Sequence, residues 1–323
     1  MNVRRLLQLT TNLLERLLRM PPIFDGSESS LAKSSLSGTP GPKIMPRTVS
    51  MFPAQVEHAP GAKKVGASLA SVRRIAIKVG GDGSVPGFLH VPQRFEDGAT
   101  SSRHGTAAIL VSGAGGGVTG PSGIYVSLAD KLASLPHLSI PVLRMDYRYP
   151  ARNQYCTQDV LSAMSHLQTT LPSINHFVLV GWSFGSAPVF TAAARAPDRI
   201  AGCAVVAPQT AETGGITTLA PKPLLLLHGT GDRTLSHICS KRLYEAYGTQ
   251  GQREIKLFEG DDHALTRHAD EAERLIGEFV ARCAGIDDQL EEREKKVLKE
   301  ALGGNPVETM KLGGDLDGQE RVE

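Results

Sequence analysis

Apolar residues recur along this chain as short runs, each closed by a turn rich in glycine or aspartate and followed by a longer stretch suited to a helix. Arg74-Ile75-Ala76-Ile77-Lys78-Val79 alternates polar and apolar positions as a half-buried strand does. Gly80-Gly81-Asp82-Gly83 then reads as a hairpin turn into a second strand over 85–91. Further strands are predicted near 106–112, 140–146, 176–181, 202–207, 223–228 and 254–258. Helices are predicted between them, near 122–135, 157–170, 184–196, 236–247 and 265–283. Strand–helix alternation of this kind predicts an α/β protein whose eight-stranded sheet is mostly parallel, with helices on both faces. The opening hairpin makes the first part of that sheet antiparallel.

The flanks have a different texture. In residues 1–20, Leu6, Leu13, Leu14 and Leu17 fall at near-helical spacing beside Arg4, Arg5, Arg16 and Arg19. Such an arginine-rich amphipathic start is typical of a transit peptide, although Glu15 runs against it. Residues 21–70 are rich in Ser, Pro, Gly and Ala and lack periodic apolar positions, so 1–70 reads as a disordered extension. The folded domain is expected over 71–284. After it, Glu291, Glu292 and Glu294 lie beside Lys295, Lys296 and Lys299, which suggests a solvated helix in a charged tail over 285–323.

The candidate chemistry sits where strands end. The run Phe177-Val178-Leu179-Val180 stops at Gly181-Trp182-Ser183-Phe184-Gly185, and a small-residue run from Ala187 to Ala194 follows. A tight strand-to-helix turn presents the serine at its tip and needs small residues on either side. A serine nucleophile needs a base, and the base needs an orienting carboxylate. Downstream, Leu224 to Leu227 leads into His228-Gly229-Thr230-Gly231-Asp232, and Glu254 to Phe258 leads into Glu259-Gly260-Asp261-Asp262-His263. Ser183, Asp232 and His263 thus follow successive strands in the order Ser, Asp, His, at the sheet edge where sites form. Each has a plainer alternative: Asp232 as a turn or helix-cap residue, His263 as a cap. Asp261 and Asp262 are rival acids that lie close to His263 in sequence, His268 is a rival base, and His228 reads as structural.

These motifs, together with the strand Val142-Leu143-Arg144-Met145 ending in Asp146-Tyr147-Arg148, resemble the α/β-hydrolase superfamily over about 71–284. The chain is most similar to its compact members, the dienelactone-hydrolase-like proteins and small esterases. The resemblance implies hydrolysis of a carboxylic ester or thioester through an acyl-Ser183 intermediate, with Asp232 and His263 as partners. It also implies that the loop from Gly113 to Pro121 helps form the oxyanion hole, with the backbone amides of Ala114 and Phe184 as donors. Many relatives begin this loop with His-Gly, whereas this chain has Ser112-Gly113, which leaves the loop donor open. Only Pro208 to Pro221 separates the sixth and seventh strands, too little for a large lid.

Two other readings remain at this level. One is a hydrolase-fold protein that binds without turnover. The other is a nicotinamide-dependent oxidoreductase, because Gly115-x-Gly117-x-x-Gly120 spells a dinucleotide fingerprint after a strand. Against the latter, Gly113 and Ala114 intervene before the first glycine, and Pro121 stands where the helix should already run. A formal net charge of +2, with no basic stripe, gives no reason to expect nucleic acid. No apolar run is long enough for a transmembrane segment. The four cysteines are scattered and lack metal or redox spacing, which suits an intracellular, cytoplasmic protein, or a mitochondrial one if 1–20 is a targeting segment. The expected partner is a small-molecule acyl substrate, with no cofactor or metal.

Overall fold

The apolar runs assemble into one eight-stranded sheet in a computed structural model that describes residues 70–81, 83–96, 105–300 and 305–315. The strands are β1 (Ser71–Val79), β2 (Gly83–Val91), β3 (Thr106–Val111), β4 (Val142–Met145), β5 (His176–Trp182), β6 (Ile200–Val206), β7 (Leu224–Gly229) and β8 (Arg253–Phe258). Their spatial order is β1-β2-β4-β3-β5-β6-β7-β8. The hairpin pairs antiparallel, β2 pairs antiparallel with β4, and every later pairing is parallel. Helices α1 (Ile124–Ser134), α2 (Asn153–Thr170), α3 (Ser186–Arg195), α4 (Ile238–Tyr247) and α5 (Ala269–Cys283) follow β3, β4, β5, β7 and β8 in turn.

The sequence pattern of each strand follows from its place in the sheet. β3 and β7 are buried at every position and carry apolar runs over 107–111 and 224–227, because helices cover both of their faces. Along β3, Ala108 and Leu110 point to a core shared with α1 and α5, while Ala107, Ile109 and Val111 point to a core shared with α2, α3 and α4. The outer strands alternate instead. β8 has exposed Glu254 and Lys256, and β1 carries exposed Arg73, Arg74 and Lys78, charges that discourage pairing with another chain at a sheet edge. Among the described residues, no helix is long and apolar enough to cross a membrane. The extension over 1–70, with its arginine-rich start, lies outside the described residues except for Ala70.

The segment after 284 differs from the solvated tail expected of it. It forms α6 (Glu292–Leu298) and α7 (Pro306–Gly313), and Ile286, Leu290, Val297, Leu298 and Met310 enter the core of α1 and α5. Buried polar groups fasten it. Lys131 of α1 places its ammonium 2.8 Å from Glu273 and donates to the carbonyls of Leu298 and Glu300. Glu294 accepts from the backbone N–H of His137 at 3.1 Å, and its other oxygen lies 2.7 Å from the His137 ring. The packed unit therefore runs past 284, to at least Asp315.

Candidate active site

At the end of β5 the chain turns directly into a helix, and Ser183 sits at the turn with φ of 54°. A left-handed backbone is costly for a residue with a Cβ and persists only when its surroundings enforce it. The neighbouring glycines are that enforcement. A Cβ on residue 181 would stand 2.8 Å from the Gly185 carbonyl oxygen, and one on residue 185 would stand 2.5 Å from the Ser112 carbonyl oxygen. Gly181 lets the turn close on itself, and Gly185 lets it press against the end of β3. The Ser186 hydroxyl donates to the Ser183 carbonyl at 2.7 Å, which starts α3.

Asp232 and His263 meet from the loops after β7 and β8, with His263 Nδ1 2.6 Å from Asp232 Oδ2. The Asp232 side chain is fully buried, while that of His263 is 14% exposed. Asp232 Oδ1 accepts from the amides of Thr234 at 2.7 Å and Leu235 at 2.9 Å, so the residue fills the turn role that its sequence context allows. Oδ2 is shared with His228 Nε2 at 3.1 Å. Burial by itself would raise the Asp232 pKa, but hydrogen bonds from His228 and His263, the charge of His263 and the Leu235 amide hold it well below the ordinary carboxylate value. An ionised Asp232 accepts at Nδ1–H of His263, which leaves Nε2 as the basic nitrogen.

A third contact joins this pair to the elbow. The indole N–H of Trp182, the residue before Ser183, donates to the His263 carbonyl at 3.0 Å, and the two rings lie 5.6 Å apart. The rival groups are engaged elsewhere. Asp261 accepts from the amides of Asp262, Arg267 and His268 and lies 2.7 Å from His268 Nδ1. Asp262 accepts from the amides of Ala264 and Thr266. His268 packs on Phe258, with ring centroids 5.2 Å apart. His228, read as structural, is bound on both ring nitrogens, with Ser240 Oγ 2.8 Å from Nδ1, and it touches the Asp232 carboxylate directly.

The glycine loop leaves β3 beside the elbow. Because Gly185 packs on Ser112, the segments carrying Ala114 and Phe184 adjoin. The loop is pinned along its length. The Gly117 amide donates to Asp146 at 3.1 Å, and the buried Arg144 guanidinium donates to the Val118 carbonyl at 2.9 Å. The next two amides, of Thr119 and Gly120, donate to the carboxylate of Asp315 at 2.9 and 2.7 Å. Loop amides of the kind that would cradle a pyrophosphate are thus spent on a side chain, which argues against the dinucleotide reading. Nothing in the sequence pattern marked Asp315 as part of this region. Among the described residues, no group of three or more His, Cys, Asp or Glu side chains is placed to hold a metal ion.

A family model for the α/β hydrolase fold matches residues 136–243. Solved structures agree over more of the chain. Est1E from Butyrivibrio proteoclasticus superposes with a TM-score of 0.52 at 16% identity, over 66% of this chain and 99% of that one. A dienelactone hydrolase from Anabaena variabilis gives 0.53 at 16% identity, over 66% and 98%. A serine hydrolase without a lid from Xanthomonas campestris gives 0.50 at 15% identity, over 65% and 94%. Comparison with curated proteins by sequence gives no match. At these identities the likeness is one of fold, and it agrees with the strand order and the short β6–β7 connection: the chain has the α/β-hydrolase fold, in the form without a large lid.

Proposed function

We propose that the protein is a serine hydrolase that cleaves a carboxylic ester or thioester through an acyl-Ser183 intermediate. The observation that carries this reading is the left-handed Ser183 at a strand-to-helix turn, fastened through Trp182 to the loop of a His263–Asp232 pair. In the proposed reaction, His263 Nε2 takes the Ser183 hydroxyl proton as Oγ attacks the acyl carbon. Asp232 holds the His263 tautomer and stabilises the imidazolium that forms. The amides of Ala114 and Phe184 stabilise the oxyanion. His263 then returns the proton to the departing alcohol or thiol, and water repeats the sequence on the acyl-serine.

The β6–β7 connection, with only a short 3-10 turn at Gly214–Thr218, is too brief for a large helical lid, which favours small or extended acyl esters that need no enclosure. Est1E, a structural neighbour, has been solved with ferulic acid bound, so a feruloyl ester belongs in the substrate panel beside short-chain nitrophenyl esters and a thioester. Purified protein should hydrolyse at least one of these, and a fluorophosphonate should label it. A wild-type protein that turns over none of them and resists the probe would be a hydrolase-fold binding protein instead.

A further inference from the structure

The glycine loop is held from behind by a carboxylate that arrives from the far end of the sequence, 203 positions after Ser112. Asp315 is 4% exposed. A buried carboxylate is unfavourable unless hydrogen bonds replace its water, and here each oxygen has two donors. Oδ1 accepts from the Ser112 hydroxyl at 2.5 Å and the Gly120 amide at 2.7 Å. Oδ2 accepts from the Thr119 hydroxyl at 2.6 Å and the Thr119 amide at 2.9 Å. All four donors belong to the loop or its first residue, so they converge on one point only when the loop has this shape.

The approach of α7 is shaped for this contact. The helix stops in a Schellman arrangement: the Gly314 amide donates to Lys311, the Asp315 amide donates to Met310, and Gly314 has φ of 81°. That turn aims Asp315 inward, while the Gly313 carbonyl accepts from the Val118 amide at 3.2 Å. The surfaces meet without room for side chains. A Cβ on Gly117 would lie 2.6 Å from the Asp315 carboxylate, and one on Gly313 would lie 2.3 Å from the Thr119 methyl. On the other side of the loop stand Arg144 and Asp146, from β4 and the residue after it, so the loop is clamped between the sheet and the C-terminal helix.

We propose that Asp315 is a positioning residue of the oxyanion loop: its carboxylate fixes the backbone from Ser112 to Gly120 so that the Ala114 amide faces the acyl oxygen. This rests on the serine-hydrolase reading above. Asp315 acts through the loop and touches no substrate. The catalytic fold is then completed by a segment beyond α5, and α7, the last described helix, helps set the rate of the chemical step. Displaced donors lose transition-state stabilisation while ground-state binding is largely spared, because the oxyanion forms only during attack.

The test uses full-length protein and its Asp315→Asn variant, which keeps the volume but, in either orientation of the side-chain amide, puts its N–H₂ against a backbone N–H that can only donate. Turnover of p-nitrophenyl acetate, affinity for phenylboronic acid and amide exchange of residues 113–120 are measured together. We expect kcat to fall about 10- to 100-fold with KM within about threefold, since losing one oxyanion donor outright costs about 100- to 1,000-fold. Affinity for the boronate, whose adduct with Ser183 mimics the tetrahedral intermediate, should fall in parallel, and the Thr119 and Gly120 amides should exchange faster. Thr119→Val, which removes one hydroxyl donor and keeps the shape, should move all three readouts in the same direction by less, and it decides the matter if Asp315→Asn fails to fold. Folded variants with wild-type kcat and boronate affinity overturn the proposal, as does unchanged exchange in an active enzyme. A wild-type protein with neither turnover nor boronate binding overturns the hydrolase reading itself.

Discussion

In the proposed site Asp232 combines the turn role and the acid role that the sequence left as alternatives. Its Oδ1 closes the turn after β7 and its Oδ2 holds the histidines, so the turn places the acid where it is needed. Asp232→Asn retains the shape but sets an N–H₂ group against His263 Nδ1–H and favours the wrong tautomer. Turnover should fall about 1,000- to 10,000-fold. Asp261→Asn and Asp262→Asn should cost far less, because those carboxylates organise the loop rather than His263. Kinetics on one activated ester compare the three, and a nearly silent Asp232→Asn would break the proposed constellation. Because Asp232 stays ionised, kcat/KM should fall at acid pH as His263 takes up its proton, with no separate step from Asp232. Asp315 gives a separate pH signature, in stability. Burial pushes its pKa up to about 6 against the pull of its four donors. A folded pKa above the unfolded value means that the native state keeps the proton longer as pH rises. This group therefore costs nothing below about pH 4, becomes progressively destabilising up to about pH 6, and is level above that. Chemical denaturation of wild type and Asp315→Asn across that window should show the wild type losing ground by about 2–3 kcal/mol relative to the variant. A difference that does not change with pH would show that Asp315 is not titrating in this way.

At the scale of elements, what the sequence revealed depended on how local the cause was. The central strands were legible because helices on both faces favour continuous apolar runs, as over 107–111 in β3 and 224–227 in β7. The elbow was legible because its glycines answer contacts within five residues and with the adjoining strand. α2 begins at Asn153, earlier than the 157 expected from the pattern, because Asn153 is fixed by distant partners, the Thr191 hydroxyl and the Glu212 carbonyl. α6 was misread as solvated for the same kind of reason. Its lysines and glutamates dominate the pattern, while the burial of Val297, Leu298 and Glu294 depends on α1, α5 and His137. The glycine loop looked ready for an external anion, and its occupant proved to be a side chain too far along the chain for any motif to connect. A chain ending at residue 284 tests this directly. It would lose Ile286, Leu290, Val297, Leu298 and Met310, each worth about 1.5–3 kcal/mol when buried, and bare the faces of α1 and α5 that they cover. That sum rivals the whole stability of a typical domain, so the shortened chain should be insoluble or lack a cooperative thermal transition. A well-folded, active 71–284 fragment would restore the boundary read from the sequence.

For the whole molecule, the sheet explains why residues scattered from 112 to 315 share one neighbourhood. Parallel strands β3, β5, β7 and β8 all deliver their loops at the same edge, and α7 returns to that edge to meet the first of them. Structural neighbours such as Est1E and the Anabaena variabilis protein superpose over about two thirds of this chain. The proposed activity stands on Ser183 being the reactive group at that edge. The most direct test is intact mass and peptide mapping after incubation with a fluorophosphonate, run beside ester turnover for wild type and Ser183→Ala. The account predicts one adduct, on Ser183, formed as turnover is lost, with both adduct and turnover abolished in a folded Ser183→Ala protein. Turnover that survives in Ser183→Ala, or an adduct mapped to another residue, would contradict it.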